Sequence, residues 1–487
     1  MQTEATADFW SWLPMALLCV GVVTGLRVAF LAVDQTDLFV DEAQYWFWGQ
    51  ELAFGYYSKP PMIGWVLRGF TDLAGSDSAF WVRLPGSLFH AATALLLAAS
   101  ANHIAGARAA VYVALAYITL PIITVGSYLI GTDTIMFPFL AAGLYAWLRV
   151  LDNRSRRWAI LAGVAIGLGF LSKYAAMYFL FGAGLSALFF RTARPGWTAG
   201  CTALLAFFVT ISPNIIWNLM NGLSTVEHTL DNADWVRDPS NRAALNPAGL
   251  AEFIASQFFV FGPVFMAGFV WLLVRLGGNR PRAGMLLTIA VPVLLIVCTQ
   301  ALISRAYANW AATAFIPAIL LVIPWLITKH RAWFWGSIAL HSVFALFIPL
   351  AAAFPTALQF GEEGRYFMAR YMGRTDMTAQ IQSTASTNNT TVIVADDRDI
   401  LADLFYAARL GGVPVFARPE PGRAPHHYAL KHPYDGSATG PILYVTKGNQ
   451  PPATCTSKPL ASLAPTTGAY RDRPQHVFLI TGTCWTP

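Results

Sequence analysis

Charge is scarce in this chain. Only 12% of its 487 residues are Asp, Glu, Lys or Arg, against 56% hydrophobic residues, whereas a soluble domain carries roughly 25% charged residues. That scarcity excludes an ordinary soluble enzyme. Cysteine is sparse too: there are five. Cys19, Cys201 and Cys298 fall in apolar stretches and read as inert packing groups. Cys455 and Cys484 lie in a polar C-terminal tail, where an oxidising compartment would allow a disulfide. No Gly-x-x-x-x-Gly-Lys-Ser/Thr loop is present to cradle nucleotide phosphates, which argues against direct use of ATP. No HExxH or CxxC zinc pattern occurs, and the soluble nucleotide-sugar fold has no counterpart. The first apolar run lacks a basic leader and a small-residue cleavage pattern, so it reads as a retained helix.

Long hydrophobic runs are what the chain has in abundance. Stretches of about 20 apolar residues, enough to cross a bilayer as a helix, recur over the first 354 positions. Eleven are read, at 11–33, 87–105, 109–129, 132–150, 158–172, 174–190, 197–217, 251–274, 284–303, 306–327 and 333–354, the fifth and sixth sharing a short turn at Ser172-Lys173. Basic residues orient them. Arg108, the set Arg149 to Arg157, Arg191 and Arg194, Arg275 to Arg282, and Lys329 with Arg331 all fall on one face if the spans alternate, and that face is expected to be cytoplasmic. Residues 34–86, 218–250 and everything after 354 then lie outside. The net charge of +6 is mostly this topology signal and does not point to nucleic acid.

The chain divides into a helical bundle, 1–354, and an extracytoplasmic region, 355–487, of different character. In the latter, Thr391–Ala395, Val413–Phe416, Ile442–Val445 and His476–Ile480 read as strands, and Asp399–Leu410 as an amphipathic helix stopped by Gly411. A small α/β domain is the expectation. Residues 417–440 read as an irregular loop, and His426, His427 and His432 as surface histidines. In the first outer loop, 43–52 and 62–73 are aromatic and apolar. They suit helices lying in the membrane interface or an ordinary aromatic belt.

Chemistry-bearing residues gather at the outer ends of the spans. Asp41-Glu42 follows the first span, and Tyr57-Ser58-Lys59-Pro60-Pro61, Arg83-Leu84-Pro85, Asp133 and Leu171-Ser172-Lys173 come after it in order. Pro213-Asn214, Trp217-Asn218, His228 and Tyr307-Ala308-Asn309-Trp310 extend the series. This ordered set resembles the GT-C membrane glycosyltransferases, nearest to the branch of the bacterial lipid A aminoarabinose transferases and the protein O-mannosyltransferases (family 39). The resemblance implies a bundle of about 11 transmembrane helices with a small C-terminal extracytoplasmic α/β domain. It also implies transfer of a sugar from a polyprenyl-phosphate donor at the periplasmic face of a bacterial inner membrane. By the same resemblance Asp41 corresponds to the central catalytic carboxylate, Asp133 to a second acid, and Lys59 to the lysine before paired prolines. The aminoarabinose branch commonly has an acid, linked to metal binding, just before that lysine. This chain has Ser58 there, so a divalent metal is left open and no metal ligand is assigned.

Read from the residues alone, the set fits the same reaction. A carboxylate within hydrogen-bond reach of an acceptor hydroxyl can take its proton, which suits Asp41, with Glu42 holding it or a nearby arginine. Cations must meet the leaving phosphate. Lys59 is the first candidate, its conformation restricted by the following prolines. Lys173, Arg83 and Arg305 are further candidates, with snorkelling as the alternative. Asp133 is either a helix N-cap or a site residue. In the loop 218–250, His228 and Trp235 suit a cover over the sugar, or a plain polar loop. Arg27, inside the first span, reads as snorkelling or internally paired. The expected partners are a polyprenyl-phosphate sugar, membrane lipids, and an acceptor that is lipid A, lipopolysaccharide core or another glycolipid. A protein acceptor, or a transporter of lipid-linked sugar, is the alternative.

Overall fold

A computed structural model of the protein describes residues 11–232, 245–275, 281–361, 364–451, 455–480 and 484–485. Among these, seven helices are long and apolar enough to cross a membrane: Leu13–Leu31, Ala79–Ala105, Thr132–Asn153, Trp197–Met220, Pro281–Ile303, Ala308–Lys329 and Arg331–Ala353. Two helix pairs raise the total to as many as nine if each is one broken span. Two shorter apolar helices, Arg156–Ser172 and Met177–Phe189, account for the remaining runs read from the sequence.

The broken pairs are where straight spans were expected and bends are found. Ala107–Thr119 meets Pro121–Tyr128 at 56°, and Pro247–Val260 meets Pro263–Arg275 at 111°. Proline opens the second helix of each pair, where it lacks the N–H that would continue the first. At the sharper corner Gly262 has φ +85°, and a Cβ there would come within 2.1 Å of the His341 ring. Only glycine fits both the left-handed backbone and the space.

The chain falls into two compact units. The first takes residues to Ala32, Ala53–Ile63 and Arg83–Pro349; the second takes Val33–Leu52, Gly64–Val82 and the residues from Leu350 onward. The first is the apolar helical bundle. Within it Arg27, 3% exposed, donates to the Ile118 carbonyl at 2.6 Å and to Thr124 Oγ1 at 3.1 Å.

The second unit is built on a five-stranded sheet. A short hairpin, β1 (Gln359–Phe360) and β2 (Arg365–Tyr366), comes before it. The sheet comprises β3 (Val392–Ala395), β4 (Val415–Ala417), β5 (Ile442–Thr446), β6 (Ser457–Leu463) and β7 (Gln475–Ile480), in the order β4-β3-β5-β7-β6. β3 is parallel to β4 and β5, and β7 is antiparallel to β5 and β6. β3 and β5 are buried at every position, as their unbroken apolar sequences require. β6 is an edge strand with an irregular register between Pro459 and Ala461. Its mixed composition and internal proline hid it from sequence reading. Cys455 and Cys484 form a disulfide beside the core of Val394, Tyr444 and Phe478.

Two readings of this region are corrected. Residues 417–440 are not wholly irregular: a short helix, His427–Lys431, lies within them, and Ala417 bridges Pro433. His426 and His427 are buried, at 7% and 5% exposure, because aromatic rings enclose them. His427 lies 5.7 Å from Trp48 and 6.0 Å from Phe47. Those rings come from the helix Val40–Gln50, whose partner is the helix Arg398–Ala407. Phe47 meets Phe405 at 4.6 Å and Trp46 meets Tyr406 at 5.0 Å. Apolar packing of this kind, and not helix propensity, fixes so short a helix.

Candidate functional site

In the first unit, Asp133 is the centre of a small polar cluster. It sits in the first turn of Thr132–Asn153, where a negative charge favours the helix. Its carboxylate bonds side chains and not the helix end. Lys173 Nζ donates to both oxygens at 2.8 Å, and Asn309 Nδ2 donates to Oδ2 at 2.7 Å. Lys173 reaches it because the helix Arg156–Ser172 stops one residue earlier. Lys173 itself is extended before the turn Tyr174–Ala176. Three sequence segments read separately, at 133, 173 and 309, therefore converge.

The Lys59 segment is held by a second set of bonds in the same unit. Tyr56, Tyr57, Ser58, Pro60 and Pro61 are buried around the half-buried Lys59. The Tyr56 N–H closes a turn on the Lys59 carbonyl at 3.0 Å. Thr225 Oγ1 donates to the Tyr56 carbonyl at 2.7 Å, and Asn214 Nδ2 to the Phe54 carbonyl at 2.6 Å. Asn214 also accepts from Tyr174, the neighbour of Lys173, at 3.2 Å. The Asn214 and Asn218 positions thus brace the loop bearing Lys59 and the turn bearing Lys173. His228 packs edge-on to Tyr57 at 5.2 Å. Arg83 is 2% exposed within the helix Ala79–Ala105, and Arg305 is exposed. Trp235 lies outside the described residues.

In the second unit, the acidic pair separates into two roles. Glu42 is fully buried, and its Oε2 accepts from the Phe39 N–H at 2.9 Å, capping the helix that begins at Val40. Asp41, half-exposed, forms an ion pair and hydrogen bond with Arg398. Arg398 Nε donates in turn to Gln44 Oε1 at 2.7 Å. The guanidinium fork therefore spans two residues of one helix face, three apart. Burial alone would lower the pKa of Arg398, but the Asp41 carboxylate outweighs it and holds it above its ordinary value.

Arg398 is a residue that sequence reading passed over. It follows β3 in the run Asp396-Asp397-Arg398-Asp399, and each neighbour has its own partner. Asp396 accepts from Tyr444 at 2.7 Å and Thr446 at 2.8 Å. Asp397 caps the helix Arg398–Ala407 through the Asp399 and Ile400 N–H groups. Asp399 takes Arg473 at 2.6 Å, whose hydrogen bond and charge outweigh burial and lower the carboxyl's pKa. Arg398 is so fixed at the carboxyl end of a central parallel strand, where open α/β sheets commonly carry their functional groups. Four consecutive charges directly after an apolar strand were the available signal. Among the described residues no three His, Cys, Asp or Glu side chains lie close enough to hold a metal ion.

Comparison with known proteins gives a consistent picture. A family profile described as dolichyl-phosphate-mannose-protein mannosyltransferase matches residues 58–217. The lipid A galacturonosyltransferase RgtD of Rhizobium johnstonii is 36% identical over 473 residues, covering 97% of this chain and 99% of that one. The lipopolysaccharide core galacturonosyltransferase RgtB of the same organism is 29% identical over 54% of each chain. Among solved structures, apo ArnT from Cupriavidus metallidurans is similar with a TM-score of 0.60 at 15% identity, over 97% of this chain and 98% of that one. The same protein bound to undecaprenyl phosphate gives 0.64 at 16% identity, over 95% and 97%. The likeness to ArnT is one of fold.

Proposed function

The chain belongs to the GT-C membrane glycosyltransferases, and from that premise we propose the donor, the acceptor and the residues that act on them. The donor is a polyprenyl-phosphate sugar with galacturonic acid as the sugar, and the acceptor is a hydroxyl of lipid A. Transfer takes place at the periplasmic face of a bacterial inner membrane. The likeness to a lipid A galacturonosyltransferase along nearly the whole chain is the observation that carries this reading. A protein acceptor has only the shorter profile match in its favour.

The chemistry follows from the residues. The acceptor oxygen bonds the anomeric carbon as the bond from that carbon to the phosphate oxygen breaks, inverting the centre. The acceptor proton goes to the Asp41 carboxylate, and the electron pair leaves on polyprenyl phosphate. Lys59 meets the charge growing on that phosphate, supported by Arg83 and Arg305. Arg398, itself held by Gln44, aims Asp41. Lys173 has three N–H donors, and two contacts are taken by Asp133. The third is available to a substrate oxygen, with Asp133 and Asn309 fixing its direction. His228, packed on Tyr57 beside Lys59, belongs to the cover over the sugar.

Purified protein incubated with polyprenyl-phosphate galacturonic acid and lipid A tests the reading by mass spectrometry. The expected product is lipid A heavier by one hexuronic acid residue. Movement of the donor across proteoliposomes with no product would overturn it in favour of a transporter.

A further inference from the structure

The first unit has a second concentration of charge at the far end of its helices. Asp133 and Asp152 sit at opposite ends of Thr132–Asn153, about 30 Å apart at 1.5 Å per residue. At the Asp152 end lies a cavity of about 950 Å³ that the transfer reaction does not use. His103, Asp152, Arg154, Arg191, Arg194 and Arg282 line it, so four arginines share one carboxylate. Asp152 lies 2.5 Å from His103 Nε2 and 3.2 Å from Arg282 Nη2. Those contacts tie the ends of Ala79–Ala105, Thr132–Asn153 and Pro281–Ile303 together at the cavity. Among the described residues no carboxylate pairs with Arg154, Arg191 or Arg194. The segment 276–280, which leads to Arg282 and lies outside the described residues, contains an arginine and no acid.

The backbone places these arginines. Arg154 ends Thr132–Asn153 in the left-handed region, φ 53°, a conformation costly for a residue with a Cβ. Its N–H closes the helix on the Val150 carbonyl at 2.7 Å. Arg191 opens the single turn Arg191–Ala193, and Arg194 follows it. Arg194 Nε donates to the Ala187 carbonyl at 2.9 Å. That bond fixes the guanidinium through one edge and leaves its terminal nitrogens for an oxyanion.

An apolar cavity of about 200 Å³ adjoins the basic one, lined by Trp147, Gly184, Ala187, Pro195 and Leu204 among others. Trp147 precedes Leu148 and Pro195 follows Arg194, and Leu148 and Arg194 both line the basic cavity. The same two stretches of chain therefore form a wall of each. Nearby, Leu188 and Phe189 are exposed, and Trp197, at the start of the helix Trp197–Met220, is 87% exposed. An exposed tryptophan at the end of a membrane helix marks the headgroup level of a bilayer, and the arginine bias makes this the cytoplasmic end. A basic recess at that depth, with an apolar recess beside it, suits a molecule that is anionic at one end and apolar at the other.

We infer that the basic cavity holds the phosphate of an anionic phospholipid of the cytoplasmic leaflet, with one of its acyl chains seated in the apolar cavity. The site goes beyond the proposed transfer and does not depend on the identity of donor or acceptor.

Native mass spectrometry of the full chain in detergent, titrated with phosphatidylglycerol, tests the inference directly. The wild type is expected to retain one phosphatidylglycerol at concentrations where phosphatidylcholine is not retained. Arg191→Gln together with Arg194→Gln should lower retention at least about tenfold, and Arg191→Lys with Arg194→Lys should restore most of it. Should the double glutamine variant be unstable, Arg191→Glu alone gives the same comparison, because that side chain is exposed. Gly184→Leu fills the apolar cavity from a position where a Cβ meets nothing within 4 Å, and it should lower retention as well. Equal retention by wild type and charge variants, or of the two lipids, would overturn the site. Unchanged retention in Gly184→Leu would overturn the seat of the acyl chain. Complete displacement by millimolar inorganic phosphate would overturn the lipid in favour of a free anion, and stronger retention of polyprenyl phosphate would overturn the phospholipid. Retention that emerges only when Glu4→Gln and Asp8→Asn are introduced would overturn the site in favour of an internal counter-ion. None of these readouts is glycosyl transfer, so failure here leaves the proposed function standing.

Discussion

Asp41 is half-exposed, yet its direction is set by Arg398, and Arg398 is set by Gln44 and by the end of β3. An exposed ion pair contributes little to stability, so the value of this one is positional. Arg398→Gln is expected to lower kcat at least about tenfold with little change in donor KM. Arg398→Lys should recover only part, because an ammonium lacks the fork that reaches both Asp41 and Gln44. Steady-state kinetics beside thermal unfolding would separate this from simple loss of structure, since loss of aim lowers kcat in protein that melts as the wild type does. Asp133 and Lys173 are a different case, each with a side chain less than one fifth exposed. Removing one partner leaves the other poorly solvated. A double-mutant cycle of Asp133→Asn and Lys173→Met, read by thermal unfolding in detergent, should give a coupling of about 1–3 kcal/mol. Additive losses would contradict the pair.

Elements owe their breaks to single residues. Lys173 is available because a helix stops before it, and the 111° corner exists because Gly262 precedes Pro263. Gly262→Ala must strain a left-handed backbone and push against His341. It should destabilise the first unit by about 2 kcal/mol or more, measured as loss of thermal stability. These breaks were only partly legible. The turn at Ser172-Lys173 was visible as polar residues between two apolar runs, whereas a glycine in an apolar helix carries no sign of its φ. Strands β3, β4, β5 and β7 were legible because apolar β-branched runs have few other uses. The edge strand β6 was not, since half its surface faces water and it contains proline.

Across the whole molecule, composition declared the membrane class and the ordered polar motifs declared the chemistry. The positions quoted for family likeness, Asn214, Asn218 and Asn309 among them, act as braces and partners that no local pattern reveals. Long-range pairing was the part hidden from sequence. Arg398 lies 357 positions from Asp41, and His427, read as a surface residue, is enclosed by rings from a segment more distant still. Burial and the nearby His432, Lys431 and His426 lower His427 from 6.5 to about 3. The unfolded chain therefore binds a proton between those values that the folded chain refuses, and stability falls as pH drops below 6.5. Between pH 6.5 and 5 the loss should be roughly 2 kcal/mol. Thermal unfolding of His427→Phe should show a shallower acid dependence than the wild type. An identical slope would remove His427 as the source.

The central claim is that Asp41 handles the acceptor proton. The most direct measurement is the rate of transfer from radiolabelled polyprenyl-phosphate sugar to lipid A by Asp41→Asn, in protein whose thermal unfolding matches the wild type. The account predicts a fall in kcat of at least about a hundredfold, with donor binding retained. Transfer at the wild-type rate would contradict it.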